Sequence, residues 1–418
     1  MKTIAVIGGG ITGVTTAYAL AKRGFSVTLL EKHRYAAMET SFANGGQLSA
    51  SNAEVWNHWS TIVKGLKWML KSDAPLLVNP KPSWHKLSWF AEFIGSIPSY
   101  RQNTIETARL AIAAREHLFA WAEAEGIDFD LKKKGILHIY RDKAGFDHAA
   151  EVSRLLAEGG LPRRSVTPEE MRAIEPTLAG TYYGGYYTEC DSTGDIHKFT
   201  HGLATAMRLG VRCLYGEEVQ AVATDGKRAT VTLGGVAGGE RLEFDGLVIC
   251  AGTASRGLAA QLGDRVNIYP VKGYSITVNL TDEVSRASAP TVSLLDDETK
   301  LVSSRLGDDR FRVAGTAEFN GYNRDIRADR IRPLVEWVNQ CFPGVNTRSV
   351  VPWAGLRPMM PNMMPKVGRG SSPCVFYNTG HGHLGWTLSA ITADMVGDVV
   401  EQSLGRPAPV ASGQTAVA

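Results

Sequence analysis

A glycine-rich turn near the start of the chain has the spacing needed to bind a diphosphate. Residues 8–13 read GGGITG, which places Gly8, Gly10 and Gly13 in the pattern G-x-G-x-x-G. The first glycine permits a tight turn, the second lets backbone N–H groups approach a pyrophosphate, and the third lets a helix pack closely on a strand. Glu31 follows 18 residues after Gly13. Its carboxylate can accept hydrogen bonds from a ribose and would repel a 2′-phosphate, so the spacing predicts a dinucleotide without that phosphate.

A second set of residues could hold the carboxylate of a small substrate. Arg357 lies in the segment WAGLRP at 353–358, where glycine and proline favour a shaped turn over a solvated face. A guanidinium matches a carboxylate in bidentate geometry. The alternative is a surface arginine in an interdomain salt bridge. Tyr274 and Tyr322 could supply a hydroxyl to the same substrate, although a tyrosine is more often a packing residue with a satisfied hydroxyl.

Two histidines, His381 and His383, stand in a second glycine-rich stretch. At a spacing of i and i+2 they do not share a helix face, and no carboxylate cluster accompanies them. The pattern therefore does not predict a metal site. We expect His381 to offer a hydrogen bond near the bound cofactor instead.

The elements that must position these groups can be recognised around the first turn. Residues 4–7 (IAVI) are typical of a strand buried on both faces, and residues 14–22 predict a helix that ends at Gly24. Residues 25–30 predict a second strand with Glu31 at its end. The glycines alone would also suit a structural turn. Strand, glycines, helix, strand and terminal acid together are specific for a dinucleotide site.

Three later segments favour FAD over NAD. Residues 41–48 (SFANGGQL) form a small, polar loop, which suits a backbone passing close to a flat ring system. Residues 247–253 predict an apolar strand that ends in small residues. Residues 378–387 (NTGHGHLGWT) form a glycine-rich loop before a helix predicted over 388–400. That loop offers N–H groups and a positive dipole end to the electron-rich edge of a flavin.

Together with PVKGY at 270–274 and GLRP at 355–358, these segments resemble the D-amino acid oxidase superfamily of FAD-dependent oxidoreductases, and within it the bacterial D-amino acid dehydrogenases. The resemblance implies an α/β (α+β) fold, with a Rossmann-like FAD-binding domain and a substrate domain built on a large mixed or antiparallel sheet. We expect a discontinuous FAD-binding domain and a mobile tail. The expected boundaries are 1–54, 193–262 and 351–405 for the FAD-binding domain, 55–192 and 263–350 for the substrate domain, and 406–418 for the tail.

The resemblance also implies the positions of the site residues. Arg357 matches the carboxylate-binding arginine of related amine and glycine oxidases and is placed in both the catalytic and the cofactor-binding set; Tyr274, Tyr322 and His381 complete the catalytic set. The cofactor-binding set contains Gly8, Gly10, Ile11, Thr12, Gly13, Glu31 and Lys32 at the ADP; Val219 near the adenine; Ser41, Ala43, Asn44, Gly45, Gln47 and Leu48 beside the isoalloxazine; Ala251 and Gly252; and Gly380, Gly382, His383, Leu384, Gly385 and Thr387 at the pyrimidine end of the flavin.

The activity implied by the resemblance is the oxidative deamination of D-amino acids to 2-oxo acids and ammonia. Hydride would pass to flavin N5, and the electrons would pass to a quinone or another respiratory acceptor. If the amine binds neutral, its lone pair can assist hydride departure, so no side-chain base is required. An O₂-dependent oxidase of glycine, sarcosine or D-hydroxyproline is the nearest alternative. A non-catalytic flavin- or membrane-binding module is an alternative of a different class.

Composition limits the remaining classes. The 418 residues are 44% hydrophobic and 21% charged, which suits two globular domains, and a net charge of +3 does not predict nucleic-acid binding. The five cysteines are scattered without a Cys-x-x-Cys pair, which predicts reduced thiols in a cytoplasmic protein. No signal peptide is predicted, and no run approaches the roughly 20 apolar residues of a membrane span.

Residues 56–100 hold five of the nine tryptophans and five lysines against two acids. An apolar stripe at helical spacing contains Trp59, Ile62, Val63, Leu66, Met69 and Leu70, with Lys64, Lys67 and Lys71 largely off it. Such a helix can pack on the protein's own core or lie in a membrane interface. Both interpretations stay open; the second would give a peripheral contact with the inner face of the cell membrane.

Overall fold

The computed structural model describes residues 1–68, 74–236 and 238–406, except the side chains at 66–68 and 209. The strands in these ranges are β1 (Thr3–Ile7), β2 (Ser26–Glu31), β3 (Gln47–Leu48), β4 (Leu76–Val78), β5 (Ile136–Tyr140), β6 (Arg164–Val166), β7 (Gly184–Thr188), β8 (Ser192–Thr193), β9 (Val211–Tyr215), β10 (Val219–Thr224), β11 (Ala229–Leu233), β12 (Arg241–Phe244), β13 (Gly246–Ile249), β14 (Tyr269–Asn279), β15 (Ser293–Asp296), β16 (Leu301–Leu306), β17 (Arg310–Phe319), β18 (Val350–Met359), β19 (Lys366–Arg369) and β20 (Val375–Thr379). The α-helices are α1 (Ile11–Lys22), α2 (Trp59–Trp68), α3 (Trp84–Gly95), α4 (Tyr100–Ala124), α5 (Lys143–Glu158), α6 (Pro168–Ile174), α7 (Ile196–Ala206), α8 (Ser255–Gln261), α9 (Glu283–Ser288), α10 (Ala328–Cys341) and α11 (Gly385–Leu404).

A six-stranded sheet contains the predicted β1–α1–β2 unit, which is confirmed. Its strand order is β19-β20-β13-β1-β2-β9, and every pair is parallel except β19 with β20. Side chains of β1 alternate between two cores, as the pleat requires. Ile4 and Val6 pack in the core that contains residues of α1, α7 and α11, whereas Ala5 and Ile7 pack in the core that contains residues of the β10–β11–β12 sheet. Both faces are therefore buried, as the apolar run at 4–7 predicts.

A larger mixed sheet forms the second half of the structure. Its order is β18-β14-β17-β16-β15-β5-β7-β6, with β4 added in parallel beside β17. The pair β15–β5 is also parallel, and the others are antiparallel. Leu334 and Trp337 of α10 pack in the same core as Ile276 of β14 and Val313 of β17. The predicted α/β (α+β) class with a large mixed sheet is confirmed.

One boundary differs from the expectation. Residues 351–359 were expected in the FAD-binding domain, but β18 pairs with β14 along ten positions of the larger sheet. The strand is recruited by this long antiparallel pairing, which the local sequence does not reveal. Within the described ranges no helix is long and apolar enough to cross a bilayer. The tail expected at 406–418 lies outside the described residues from 407 onward, as do Met69, Leu70 and Lys71 of the Trp-rich stretch.

Candidate functional site

The glycine-rich turn between β1 and α1 is built on two close backbone approaches. Gly8 has φ +109°, and a Cβ there would lie 2.6 Å from the carbonyl oxygen of Cys250. A Cβ on Gly13 would lie only 1.7 Å from the carbonyl oxygen of Gly8. Gly10, the N-cap of α1, supplies no side-chain cap, and the first turn of the helix holds no acidic residue. The positive end of α1 is thus open to an anion, as the motif predicts.

Glu31 is held at the end of β2 by the backbone of the same turn. Its Oε2 accepts from the Gly9 amide at 2.5 Å, and its Oε1 accepts from the His33 amide at 2.8 Å. The residue is buried but lines the cavity described next. Each carboxylate oxygen keeps further lone pairs, so Glu31 can still accept from the hydroxyls of a ribose.

A single cavity of about 650 Å³ runs past nearly all the predicted site residues. The predicted residues that line it are Gly8, Gly10, Ile11, Thr12, Glu31, Lys32, Ser41, Ala43, Asn44, Gly45, Gln47, Val219, Ala251, Gly252, Tyr274, Arg357, Gly380, His381, Gly382, His383, Leu384, Gly385 and Thr387. Gly13 and Leu48 stand behind the wall: Gly13 packs on Gly8, and Leu48 is buried in the core with α1 and α11. The set fits FAD, because an open helix N-terminus, an acid at the end of β2 and two glycine-rich loops face one continuous space.

The loop at 41–48 is attached to both halves of the structure. Ser41 Oγ accepts from the Ile11 amide of α1 at 3.0 Å. From the larger sheet, Ser275 Oγ donates to the Ala43 carbonyl at 2.9 Å, and Arg312 Nη1 donates to the Asn44 carbonyl at 3.1 Å. The loop therefore depends on contacts more than 200 residues away in sequence.

Arg357 is a partly buried cation in the cavity wall. Its Nη1 donates to the Thr316 carbonyl at 2.8 Å, and its guanidinium lies against Gly273, where a Cβ would come within 2.3 Å of Nη1. Within the described ranges, no acidic side chain comes within 4.0 Å of Arg357. Burial lowers the pKa of Arg357 to about 10. The group is still protonated at neutral pH, and its charge is available to an anion.

Both predicted histidines line the cavity, but they differ in their partners. The ring of His381 is buried and its Nε2 lies 2.9 Å from Thr392 Oγ1 of α11. The ring of His383 stacks on Trp56 with centroids 5.1 Å apart, and its Nε2 lies 3.3 Å from the Asn52 carbonyl. Burial lowers the pKa of His381 to about 3 and that of His383 to about 4. Both rings are neutral at pH 7, so neither adds charge to the site.

The two candidate tyrosines do not present free hydroxyls to the cavity. Tyr274 lines it, but its hydroxyl donates to Glu318 Oε2 at 2.8 Å inside the larger sheet. Tyr322 is 54% exposed and does not line the cavity; its hydroxyl lies 3.4 Å from the Thr253 carbonyl. The structure thus places Tyr322 outside the cavity wall, and its role in substrate binding stays a prediction. The buried acid that engages Tyr274 lies 44 positions away and gave no signal in the sequence.

An ion pair that no sequence motif marks lies beside Lys32 and His33, just after β2. Glu39 and Arg324 both line the cavity, and Arg324 Nη1 donates to Glu39 Oε2 at 2.6 Å. Burial alone would raise the pKa of Glu39, but hydrogen bonds from Arg324, His33 and Lys32 outweigh it and lower the pKa to about 2. The ammonium of Lys32, a predicted site residue, thus forms an ion pair with Glu39, with Nζ 2.9 Å from Oε1. No motif marks Arg324, because it meets Glu39 only in the folded chain.

A polar wall of the cavity was also missed. We call it the Glu54 wall and define it by five lining residues: Glu54, Trp56, Tyr140, His148 and Arg163. They come from the segment after β3, from the end of β5, from α5 and from just before β6. Trp56 belongs to the Trp-rich stretch that was expected to pack on the core or at a membrane. It packs against the buried cluster that contains Trp89 and Phe93, and it also lines the cavity.

Comparison with protein families gives one match, over residues 3–399, to the family described as FAD dependent oxidoreductase, DAO. A curated relative from Mesorhizobium japonicum, named D-amino acid dehydrogenase 3, is 62% identical over 415 residues, covering 97% of this chain and 98% of the relative. A D-amino acid dehydrogenase from Dechloromonas aromatica is 39% identical over 415 residues, with the same coverage of both chains.

Solved structures share the fold at low sequence identity. Glycine oxidase from Geobacillus kaustophilus superposes with a TM-score of 0.73 at 21% identity, covering 96% of this chain and 95% of that one. L-proline dehydrogenase from P. horikoshii superposes with a TM-score of 0.75 at 17% identity, covering 96% and 93%. At these identities the likeness concerns the fold, since one fold hosts many substrates.

Proposed function

Because this chain belongs to the DAO family of FAD dependent oxidoreductases, we propose that it oxidises D-amino acids to 2-oxo acids and ammonia. The 62% identity to a relative named as a D-amino acid dehydrogenase supports this choice within the family. The observation that carries it is Arg357, a partly buried guanidinium that lines the cavity without a described acidic partner. Removing a cation from water without a counter-charge is costly even when the cation is only partly buried, and a substrate carboxylate would supply the missing charge.

FAD is the cofactor, and we propose the residues that hold it. Gly8, Gly10 and the first turn of α1 would bind the diphosphate, and Glu31 would bind the ribose. The loops at 41–48 and 380–387 would flank the ring system. FAD supplies the two-electron acceptor for oxidation of the substrate's Cα–N bond. We also propose the two-domain division given above, with the last boundary moved from 351 to the end of β18.

The protein's own part in the reaction would be positioning. Arg357 orients the carboxylate, and the neutral rings of His381 and His383 leave the substrate amine free of a competing positive charge. The stack of Trp56 on His383 would leave less room for water in this part of the cavity. None of these groups needs to act as a base, because the lone pair of a neutral amine can drive the oxidation.

Anaerobic mixing of the FAD-loaded protein with a panel of D- and L-amino acids tests the proposal. We expect several D-amino acids to bleach the visible flavin band, while their L-enantiomers leave it unchanged. Reduction by glycine or sarcosine alone would point to the oxidase alternative instead. A flavin that no amine bleaches would contradict both enzymatic interpretations. Repeating the active pairs with O₂ and with a soluble quinone identifies the acceptor.

We propose a quinone at the membrane surface as the acceptor, supported by an exposed apolar surface on two neighbouring segments. On α3, Trp84 is 80% exposed and Leu87 is also exposed, while Trp89 of the same helix is buried. On α2, Trp59 is 59% exposed and Val63 is exposed, while Ser60, Thr61 and Lys64 line the cavity. Exposed tryptophans beside lysines suit the interface of an anionic membrane.

Co-sedimentation with anionic phosphatidylglycerol vesicles tests this contact. We expect the protein to sediment with the vesicles and the Trp84→Ser variant to bind several-fold more weakly. Val284→Ser is the matched control, since Val284 is an exposed apolar residue on α9, far from this surface in sequence. Equal vesicle binding by both variants, or none by the unmodified protein, would contradict a membrane role for these helices.

A further inference from the structure

The Glu54 wall has no part in binding FAD in the interpretation above, yet it carries ionisable groups into the same cavity. Glu54 and His148 are each about one-third exposed, and Tyr140 is buried. Arg163 lies over the ring of Tyr186 at 5.1 Å and donates to the Tyr140 hydroxyl at 3.4 Å. A wall of this kind would be poorly matched to an aliphatic or aromatic side chain, because its polar groups would lose water without gaining a partner.

Glu54 has one oxygen engaged and one available. Oε1 accepts from the Tyr100 hydroxyl at 2.8 Å and lies 3.5 Å from His148 Nε2. Oε2 has no partner among the described residues and is not among the enclosed polar atoms. Because Glu54 lines the cavity, a hydrogen-bond donor inside the cavity can reach this second oxygen.

The carboxylate is ionised at neutral pH. Burial alone would raise the pKa of Glu54, but His148 and the Tyr100 hydroxyl outweigh it and lower the pKa below its ordinary value. Two other charged residues that line the cavity compensate each other: Lys300 Nζ lies 2.5 Å from Asp297 Oδ1. Glu54 therefore offers a carboxylate oxygen to the cavity, in a wall that also contains the Arg163 guanidinium and the His148 ring paired with Glu54 Oε1.

A cation, Arg357, and an anion, Glu54, both line this cavity. Burial is the main cause of the low pKa of His383. The charges of Arg357, which lowers this pKa, and of Glu54, which raises it, also act on the ring, so both charged groups lie near His383. Resting on the proposed function, we infer that Glu54 is a specificity residue that selects D-amino acids with a positively charged side chain, by accepting a hydrogen bond from that group at Oε2. The carboxylate of such a substrate binds Arg357, and its cationic side chain binds Glu54.

Steady-state turnover of D-lysine and D-norleucine by the FAD-loaded protein tests the inference, because the two substrates have the same carbon chain and differ in the terminal ammonium. We expect kcat/KM for D-lysine to exceed that for D-norleucine by about tenfold or more, equivalent to about 1.4 kcal/mol. In Glu54→Gln the advantage should disappear, mainly through a higher KM for D-lysine, while kcat/KM for D-norleucine should stay constant or rise slightly because a less strongly hydrated group then faces its side chain. Glu116→Gln, an exposed acid on α4 away from the cavity, is the matched control.

The other outcomes overturn the inference. Equal losses for both substrates in Glu54→Gln would make Glu54 a structural residue, which flavin content and melting temperature would corroborate. A preference of the unmodified protein for D-norleucine, or for D-glutamate, would overturn it even if the variant does not fold. Turnover of D-norleucine in these cases leaves the proposed function standing. If no D-amino acid reduces the flavin, the proposed function fails and the inference fails with it.

Discussion

The diphosphate end of the cavity and the Glu54 wall are built in opposite ways. The turn at Gly8 and Gly13, the N-terminus of α1 and the acid at the end of β2 all fall within the first 31 residues. The Glu54 wall gathers residues from four separate segments between 54 and 163, and the key contacts of Glu54 are with Tyr100 and His148.

The diphosphate end would bind the part of the cofactor that all members of the family share, whereas the Glu54 wall would contact the part of the substrate that differs between enzymes. A dinucleotide presents the same diphosphate and ribose to every enzyme that binds it, so one local unit with fixed glycines suffices. A substrate side chain is recognised by cavity residues that are far apart in sequence and come together only in the folded chain. Changes at the first end should therefore abolish flavin binding, and changes at the second should redistribute turnover among substrates.

The largest effect is expected from Gly13→Ala. The added Cβ would lie 1.7 Å from the Gly8 carbonyl oxygen, so α1 must move away from β1. We expect FAD affinity to fall by about 100-fold or more, equivalent to about 2.8 kcal/mol, and the purified protein to be colourless. Titration with FAD, followed by flavin fluorescence, measures the loss.

Gly10→Ala is the informative companion to this variant. Its Cβ would meet only Ser41 Oγ, at an ordinary 3.5 Å. We expect the cofactor-free protein to keep its melting temperature and to bind FAD more weakly, since the methyl group stands where a diphosphate would approach. Unchanged FAD affinity would show that the diphosphate does not pass Gly10.

The next largest effect is expected from Arg357→Ala. Removing one partner of a buried charge pair costs about 2–5 kcal/mol, so kcat/KM should fall by roughly 100-fold or more, mainly through KM. Flavin content should be preserved. Arg348→Ala, which removes an exposed arginine just before β18, should change neither quantity. A fall in kcat with an unaltered KM would remove Arg357 from carboxylate binding.

A smaller effect on stability alone is expected from Tyr274→Phe. The variant leaves Glu318 Oε2 without the hydroxyl that donates to it at 2.8 Å, which costs about 1–3 kcal/mol. KM should stay constant, because that hydroxyl is engaged inside the sheet. Tyr322→Phe should change stability by less than about 0.5 kcal/mol, as is usual for an exposed position. Chemical unfolding and steady-state kinetics of both variants distinguish packing from substrate binding.

The smallest effect concerns His148 and pH. The hydrogen bond to Glu54 raises the pKa of His148 above its ordinary 6.5, and the pKa of Glu54 lies below its ordinary 4.5. The pair therefore adds stability between pH 4.5 and 6.5; it loses this as pH rises through the raised pKa of His148 or falls through the lowered pKa of Glu54. For a partly exposed pair we expect at most about 1 kcal/mol.

Melting of the unmodified protein and of His148→Gln, compared at about pH 5.5 and about pH 8.5, measures this contribution. The gap between the two proteins should be wider at the lower pH. A gap that does not change with pH would mean that the histidine contributes by packing rather than by charge.

Much of the fold could be predicted because its signals are local. The strand at 4–7 and the helix after it have the periodicity and glycine stop of a βαβ unit, and the structure contains that unit. The position of β18 could not be predicted in the same way, since its partner β14 lies some 80 residues earlier in the chain. Pairing at such separation is decided by tertiary packing, to which a single sequence gives little access.

The site divides along the same line. Glycines and small residues at 41–47 and 380–387 follow patterns with one steric purpose, and the structure places them along one cavity. Tyr274 had no such pattern, and nothing in the sequence indicates that its hydroxyl donates to Glu318. The positions of Glu54 and Arg324 in the site could not be predicted, because a single acidic or basic residue in a sequence of mixed charge forms no local motif. Their hydrogen bonds with Tyr100 and Glu39, which indicate a structured site, form only in the folded chain.

The loop at 41–48 is bound to α1 through Ser41 and to the larger sheet through Ser275 and Arg312. A ligand bound to this loop therefore stabilises the attachment of the two halves of the molecule to each other. At a free ligand concentration of about 100 times Kd, such a ligand raises the free energy of unfolding of the whole chain by about 2.7 kcal/mol. Riboflavin starvation would then reduce the abundance of the protein in the cell as well as its turnover, because empty chains open more often to proteases.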